Sequence, residues 1–147
     1  MPEITQHARA VFRLPVRVYY EDTDAAGIVY YANYLRFLER ARTEWLRSLG
    51  FEQSELARTH GIAFAVRALA ADYHKAARLD DVLTVISEID ALGGAQLTFL
   101  QRIERNGEPV FAARIKVACI DVARMKPVAI PAPIRQRLQA LKGDSWT

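Results

Sequence analysis

Apolar and polar positions change rhythm along the chain, and each rhythm predicts an element. From Phe12 to Tyr20, β-branched and aromatic residues alternate in part (Val16, Val18 and Tyr20 against Arg17 and Tyr19), which predicts a first strand. From Asn33 to Leu49 the period lengthens. Tyr34, Leu38, Ala41, Trp45 and Leu49 recur at steps of three and four, while Arg36, Arg40, Glu44 and Arg47 supply polar positions. This predicts the longest helix of the chain. Asn33 suits its N-cap and Gly50 its stop. Leu35, Phe37 and Leu46 widen the apolar surface, so the helix is expected to be covered on most sides. Phe51 to His60 reads as a second, short helix closed by Gly61.

Strands follow. Ile62 to His74 is mixed: its alanines suit a helix, while Phe64, Val66 and Tyr73 suit a strand. A strand is the better reading, because the later strands need a partner. Val82 to Leu92 alternates weakly before a turn at Gly93-Gly94. Leu97, Phe99 and Ile103 share a face that Gln101 interrupts. Asn106-Gly107 is a strong hairpin signal. Val110 to Val122 returns with Phe111, Ala113, Ile115, Val117 and Cys119 on one side. Pro127, Pro131 and Pro133 close the strand, and Ile134 to Leu141 makes a terminal helix. Hairpin-linked strands imply an antiparallel sheet. With one long apolar helix they define an α+β layer structure in which the sheet curls around the helix.

The 147 residues suffice for one domain with its own core. The expected layout is a tail over 1–11, one domain over 12–142 and a tail over 143–147. The chain is 51% hydrophobic and 25% charged, ordinary for a globular protein. No apolar run reaches the roughly 18 residues of a membrane span, and the first residues lack an apolar signal core. Cys119 stands alone, which rules out an intrachain disulfide or a thiolate metal cluster and suits a reducing cytoplasm. A small apolar residue within a strand is its simplest role. The net charge of +3 suits an anionic small ligand such as a nucleotide-bearing one. The basic residues are scattered and no nucleic-acid motif is present, so no nucleic-acid partner is expected. His7, His60 and His74 lie too far apart for metal-ligand spacing.

The candidate chemistry lies between Tyr20 and Tyr34. Asp22 and Asp24 sit in a loop, Gly27 allows a sharp turn, and the long helix begins just beyond. A helix start offers free N–H groups and a partial positive charge. Asp24 beside such a start could attack a carbonyl, or activate water against it, while main-chain amides hold the developing oxyanion. Those amides and the helix field would favour the ionised carboxylate this requires. Taken alone, Asp24 reads first as a turn carboxylate bonding nearby N–H groups, and the flanking Tyr20, Val29, Tyr30 and helix turn the balance toward chemistry. A calcium loop is excluded by Ile28 and Val29 at later ligand positions. Asp22 reads as loop-shaping. Tyr20 either positions the reacting group or packs at the strand end. Gly27 is a backbone necessity.

The stretch Tyr20-Glu21-Asp22-Thr23-Asp24-Ala25-Ala26-Gly27-Ile28-Val29-Tyr30, followed by Tyr31-Ala32-Asn33-Tyr34-Leu35, resembles the signature of hotdog-fold thioesterases of the 4-hydroxybenzoyl-CoA type. Glu39 to Leu46 is most similar to the acyl-CoA thioesterase branch associated with the bacterial Tol-Pal system. Weaker similarity continues through Ala76 to Asp81 and Val117 to Asp121. The resemblance implies a hotdog fold, a five-stranded antiparallel sheet wrapped around one long central helix. It implies a homodimer joined edge to edge or a homotetramer, with active sites between subunits. It assigns catalysis to Asp24 and the oxyanion contact to the Tyr31 backbone N–H, with Tyr20 grouped beside them as a candidate catalytic residue. Gly27, Val29, Tyr30, Phe64, Ala65 and Val66 become substrate-binding residues, the last three across the dimer interface. No cofactor or metal is implied, because CoA is part of the substrate.

Many members of the Tol-Pal-associated branch carry histidine where this chain has Tyr31, so a proton-donating imidazole is absent. The hydroxybenzoyl branch carries tyrosine there, which admits an aromatic acyl group. Phe64, Ala65 and Val66 offer no partner for a phenolic hydroxyl, which favours a fatty acyl thioester. A hotdog dehydratase would need a histidine in the loop. Two alternatives stand beside an acyl-CoA hydrolase: an aroyl-CoA thioesterase, and a non-catalytic module that binds acyl carrier protein or envelope-synthesis enzymes. Arg78, Arg102, Arg105, Arg124 and Lys126 are candidates for the CoA phosphates by charge alone, and none is assigned.

Overall fold

In the computed structural model, residues 10–141 are described; the expected tails fall largely outside them. The elements run β1 (Phe12–Arg17), α1 (Asn33–Ser48), α2 (Gln53–His60), β2 (Ile62–Tyr73), β3 (Val82–Leu92), β4 (Gln96–Arg105), β5 (Glu108–Asp121), β6 (Lys126–Pro127) and α3 (Ala132–Leu141). The sheet is antiparallel, in the order β1-β3-β4-β5-β2, with β6 added beside β5. Among the described residues the three expected helices are present, and the five long strands of the expected sheet are joined by β6, a sixth of two residues.

The apolar stripe of α1 lies where its spacing predicts. Tyr34, Phe37, Leu38, Ala41, Trp45 and Leu46 are buried, against Val18, Val85, Ile103, Phe111 and Ile115 of the same core. Trp45 stacks on Phe12 with ring centroids 5.7 Å apart and meets Phe99 at 6.1 Å. Arg36, Glu39, Arg40, Arg47 and Ser48 stay exposed, while the remaining positions of α1 are buried or half-buried, so the helix is covered on most sides. It ends in a Schellman motif: Gly50 N–H donates to Arg47 C=O and Phe51 N–H to Leu46 C=O, with Gly50 at φ +98°.

Asn106 and Gly107 take φ of 53° and 79°, the left-handed pair of a tight hairpin between β4 and β5. Register shifts in β2 (Val66/Ala68), β3 (Ile89/Ala91) and at Ile103/Glu104 of β4 add local bend and twist.

Two expectations are corrected. β1 stops at Arg17, not Tyr20, because the Asp22 carboxylate captures the Tyr19 N–H at 2.8 Å and a 3-10 turn forms over Tyr20–Asp22. Gln101 does not interrupt β4. It is buried, and its amide donates to Leu38 C=O (3.1 Å) and Ser87 Oγ (2.9 Å) while accepting from Arg42 Nη1 (2.8 Å). A fully bonded amide joins α1 to the sheet at little cost.

Phe37 is wholly buried under the sheet. Phe37→Ala should lower unfolding free energy by about 3–5 kcal/mol in a denaturant titration, whereas a loss below about 1 kcal/mol would place α1 outside the core.

Candidate active site

The loop between β1 and α1 is held by one buried carboxylate. Asp22 Oδ2 accepts the Tyr19 N–H, its Oδ1 accepts Asn33 Nδ2 at 2.7 Å, and its carbonyl accepts the Tyr30 N–H at 3.0 Å. Both Asp22 and Asn33 are buried, so this charge-assisted bond is shielded from water. Asn33 thus does not cap α1 with its side chain. Ala32 occupies the cap position, and the amide of Asn33 is drawn backwards onto Asp22.

Asp22 shapes the loop; Asp24 occupies its tip. Asp24 N–H donates to Ile28 C=O (2.9 Å) and Gly27 N–H donates back to Asp24 C=O (3.0 Å), while Thr23 pairs with Val29. Gly27 adopts φ +81°, where a side chain would be strained. One Asp24 oxygen, Oδ1, accepts the Ala26 N–H at 2.9 Å, the turn bond expected of such an aspartate. The other has no hydrogen-bond partner among the described residues, and the side chain is exposed. Tyr20 is 83% exposed, which removes the alternative of packing at the strand end.

A second segment braces the loop from below. Val29 N–H donates to Ala77 C=O (2.8 Å), Ile28 bridges Arg78, and Tyr34 Oη accepts the Ala77 N–H (3.0 Å). Asp81 fixes that segment by accepting from Arg78 N–H and Arg105 Nη1, both at 2.8 Å. Burial pushes the Asp81 carboxyl up, but these bonds and the two arginine charges outweigh it and hold it below its ordinary value. Aromatic rings then line the head of α1. Tyr34 stacks on Phe111 at 5.1 Å, Tyr73 meets both Phe111 (4.8 Å) and Tyr34 (5.6 Å), and Tyr31 leans against Tyr30 (4.9 Å).

Phe64, Ala65 and Val66 come together elsewhere. They line a cavity of about 170 Å³ with Leu97, Phe99, Val117 and Leu138, beside Glu39 and Arg42 of α1. None of the loop residues lines it. Arg42 is roughly 13 Å along the helix axis from Asn33, at 1.5 Å per residue. Asp24, Tyr20, Gly27, Val29, Tyr30 and Tyr31 thus form one group, and Phe64, Ala65 and Val66 another. Arg42 escaped the sequence reading. It is half-buried, bonded to Gln101 and set 5.9 Å from the Phe99 ring, and burial pulls its guanidinium below the ordinary value against the pull of Glu39. A charged residue one turn after Leu38, beside Ala41 at the margin of the apolar face, was the available signal. Among the described residues, no three His, Cys, Asp or Glu side chains stand where they could hold a metal ion. Arg102 and Arg105 are engaged with Glu88, Glu104, Asp81 and Glu108.

A curled antiparallel sheet, a long helix and an aspartate loop at its head define a thioesterase-type hotdog fold. The chain belongs to the thioesterase-like superfamily, whose model matches residues 18–138. It is 51% identical over 131 residues to the acyl-CoA thioesterase YbgC of Haemophilus influenzae, covering 89% of this chain and 96% of that one. To the acyl-CoA thioester hydrolase YbgC of Escherichia coli it is 48% identical over 126 residues, 84% of this chain and 92% of that one. Among solved structures, a probable thioesterase from Bartonella henselae superposes with a TM-score of 0.79 at 35% identity, covering 83% of this chain and all of that chain (100%).

Asn33→Ala would leave the Asp22 carboxylate buried with one oxygen unpartnered. Chemical denaturation should show a loss of about 1–3 kcal/mol. A variant as stable as the parent would mean that water replaces the bond and that the loop is not clamped there.

Proposed function

We propose that this chain hydrolyses an acyl-CoA thioester to the free acid and CoA, with Asp24 as the reacting carboxylate and the Tyr31 N–H as oxyanion donor. The carrying observation is the placement of the loop. Asp24 keeps one oxygen unengaged, a few residues from the amides at the head of α1. Among the described residues the Tyr31 N–H has no protein acceptor. A thioester carbonyl gathers negative charge on oxygen as its carbon is attacked, and one such preorganised donor is worth about 2.7–4 kcal/mol of barrier.

Two routes balance. As nucleophile, Asp24 forms a mixed anhydride and expels the CoA thiolate, which takes up a proton; water then cleaves the anhydride. As general base, Asp24 takes a proton from water while the hydroxide oxygen bonds to the carbonyl carbon and the C–S bond breaks. Single turnover in isotopically labelled water detects the first route: labelled oxygen enters the Asp24 side chain only when an anhydride has formed and water attacks its Asp24 carbonyl carbon, the acyl group then leaving with an original Asp24 oxygen.

The acyl group needs an apolar chamber, and the cavity at Phe64, Ala65 and Val66 is one. Its separation from Asp24 within one chain supports a site completed between two copies. The outer edge of β2 supports the same reading. It is an edge strand of twelve residues that exposes Val66, Leu69 and Tyr73. A long apolar edge left open invites association. We assign it to a homodimer; sedimentation that finds only monomer at assay concentration removes this part of the proposal. The carrier is CoA in this reading, with acyl carrier protein as the competing thiol, and the location is cytoplasmic.

Arg42 favours a second reading. Its guanidinium, with Glu39 and Gln53, gives the cavity polar groups that Phe64, Ala65 and Val66 lack. A hydroxylated aroyl group would find a partner there.

Thiol release from acyl-CoAs between propionyl and palmitoyl, and from 4-hydroxybenzoyl-CoA, tests these points together. Asp24→Asn should lower kcat by about a hundredfold or more. Turnover undiminished by that substitution eliminates the site. Absence of turnover on every thioester, including acyl carrier protein thioesters, supports the non-catalytic binding module. Preference for the aromatic substrate, lost in Arg42→Met, selects the second reading.

A further inference from the structure

Beyond Asp24 and Tyr31, we infer that Tyr73 is a positioning residue, which turns the Ala32 N–H toward the oxyanion as a second donor. This inference rests on the hydrolase reading above. Tyr73 stands at the end of β2, far from the loop in sequence, yet its hydroxyl donates to the Tyr31 C=O at 2.8 Å. Neighbouring carbonyls find main-chain donors instead: Asn33 N–H goes to Tyr30 C=O and Leu35 N–H to Ala32 C=O. The Tyr31 carbonyl is thus held from outside the helix.

The peptide joining Tyr31 to Ala32 is planar and trans, so its C=O and N–H point in opposite directions. Holding the carbonyl on Tyr73 therefore aims the Ala32 N–H the other way. Among the described residues that N–H has no main-chain acceptor, like that of Tyr31 one residue earlier. Two successive free amides at a helix head make a concave pair of donors suited to one anionic oxygen. A hydrogen bond received at the carbonyl also polarises the amide and strengthens its N–H as a donor. Without the Tyr73 hydroxyl the peptide could rotate and present a carbonyl lone pair where negative charge must form.

The Tyr73 ring is itself anchored. It packs edge-on against Phe111 at 4.8 Å and Tyr34 at 5.6 Å, and Tyr31 meets it at 6.5 Å. Burial first, then the neighbouring Tyr31 and Tyr34, push its hydroxyl above the ordinary tyrosine value, so it remains a proton donor at neutral pH.

Tyr73→Phe keeps the ring and deletes only the donor. The expected result is a kcat reduced about tenfold, with KM within about twofold of the parent, since the lost contact acts on the transition state. In a ¹⁵N-resolved spectrum the Ala32 amide nitrogen should move upfield, reporting loss of the bond to the preceding carbonyl. An Ala32 shift with kcat unchanged overturns the inference, because the amide would then be held but unused. An unshifted Ala32 resonance overturns it as well. Should Tyr73→Phe fail to fold, replacement of Tyr73 by 3-fluorotyrosine, a stronger donor, must move Ala32 downfield; no movement overturns it. Asp24→Asn, assayed alongside, keeps the two readings apart. Loss of turnover in that variant with Tyr73→Phe fully active sinks only the role of Tyr73, whereas activity in Asp24→Asn sinks the hydrolase site itself.

Discussion

A single buried hydrogen bond, from Asn33 Nδ2 to Asp22 Oδ1, sets the relation between loop and helix on which the site depends. Asp22 collects three donors from three places: Tyr19 before the loop, Tyr30 after it and Asn33 at the head of α1. A carboxylate removed from water must be bonded in this way or lose its charge. Two of the donors, Tyr19 N–H and Asn33 Nδ2, reach the carboxylate, and the third, Tyr30 N–H, reaches the Asp22 main-chain carbonyl. Together these bonds bring the end of β1, the tip at Asp24 and the first turn of α1 into one body. Asp24 needs no burial of its own to be well placed, because the residues on either side of it are fixed.

The same economy appears around the helix head. Tyr34 belongs to the apolar stripe of α1, yet its hydroxyl also accepts the Ala77 N–H and so braces the segment that supports Val29. Tyr73 and Phe111 bring the ends of β2 and β5 against that ring. Core packing and site geometry are therefore not separable here. The apolar cavity on the far side of α1 is shaped independently, by Phe99 and Leu97 of β4 and by Phe64 to Val66 near the bulge in β2. In the proposed reading these two groups of residues are the halves of a site shared between copies.

Much of the fold is legible in the sequence because it is written in local signals. The stripe from Tyr34 to Trp45, the Schellman glycine at Gly50 and the Asn106-Gly107 hairpin each need only a few neighbouring residues. The aspartate loop is legible for a different reason: its residue order resembles a known family. The contacts missed are those between distant residues. Nothing near Gln101 in the chain reveals that Leu38, Ser87 and Arg42 would satisfy it, so a buried amide reads as an interruption. Asn33 reads as a cap because caps are local, whereas its true partner lies eleven residues back across a turn. Arg42 draws no reading of its own from the sequence, because its partners Gln101 and Phe99 lie on β4, far along the chain.

The most direct test is a crystal structure with a non-hydrolysable acyl-CoA ketone, in which a methylene replaces the thioester sulfur. An intact clamp at Asp22 and Asn33 predicts the ketone oxygen within about 3 Å of the Tyr31 N–H, with an Asp24 oxygen or one bridging water about 3–3.5 Å from the carbonyl carbon. A ketone bound away from the head of α1, with Asp24 facing solvent and no ligand atom near it, would contradict the proposed site.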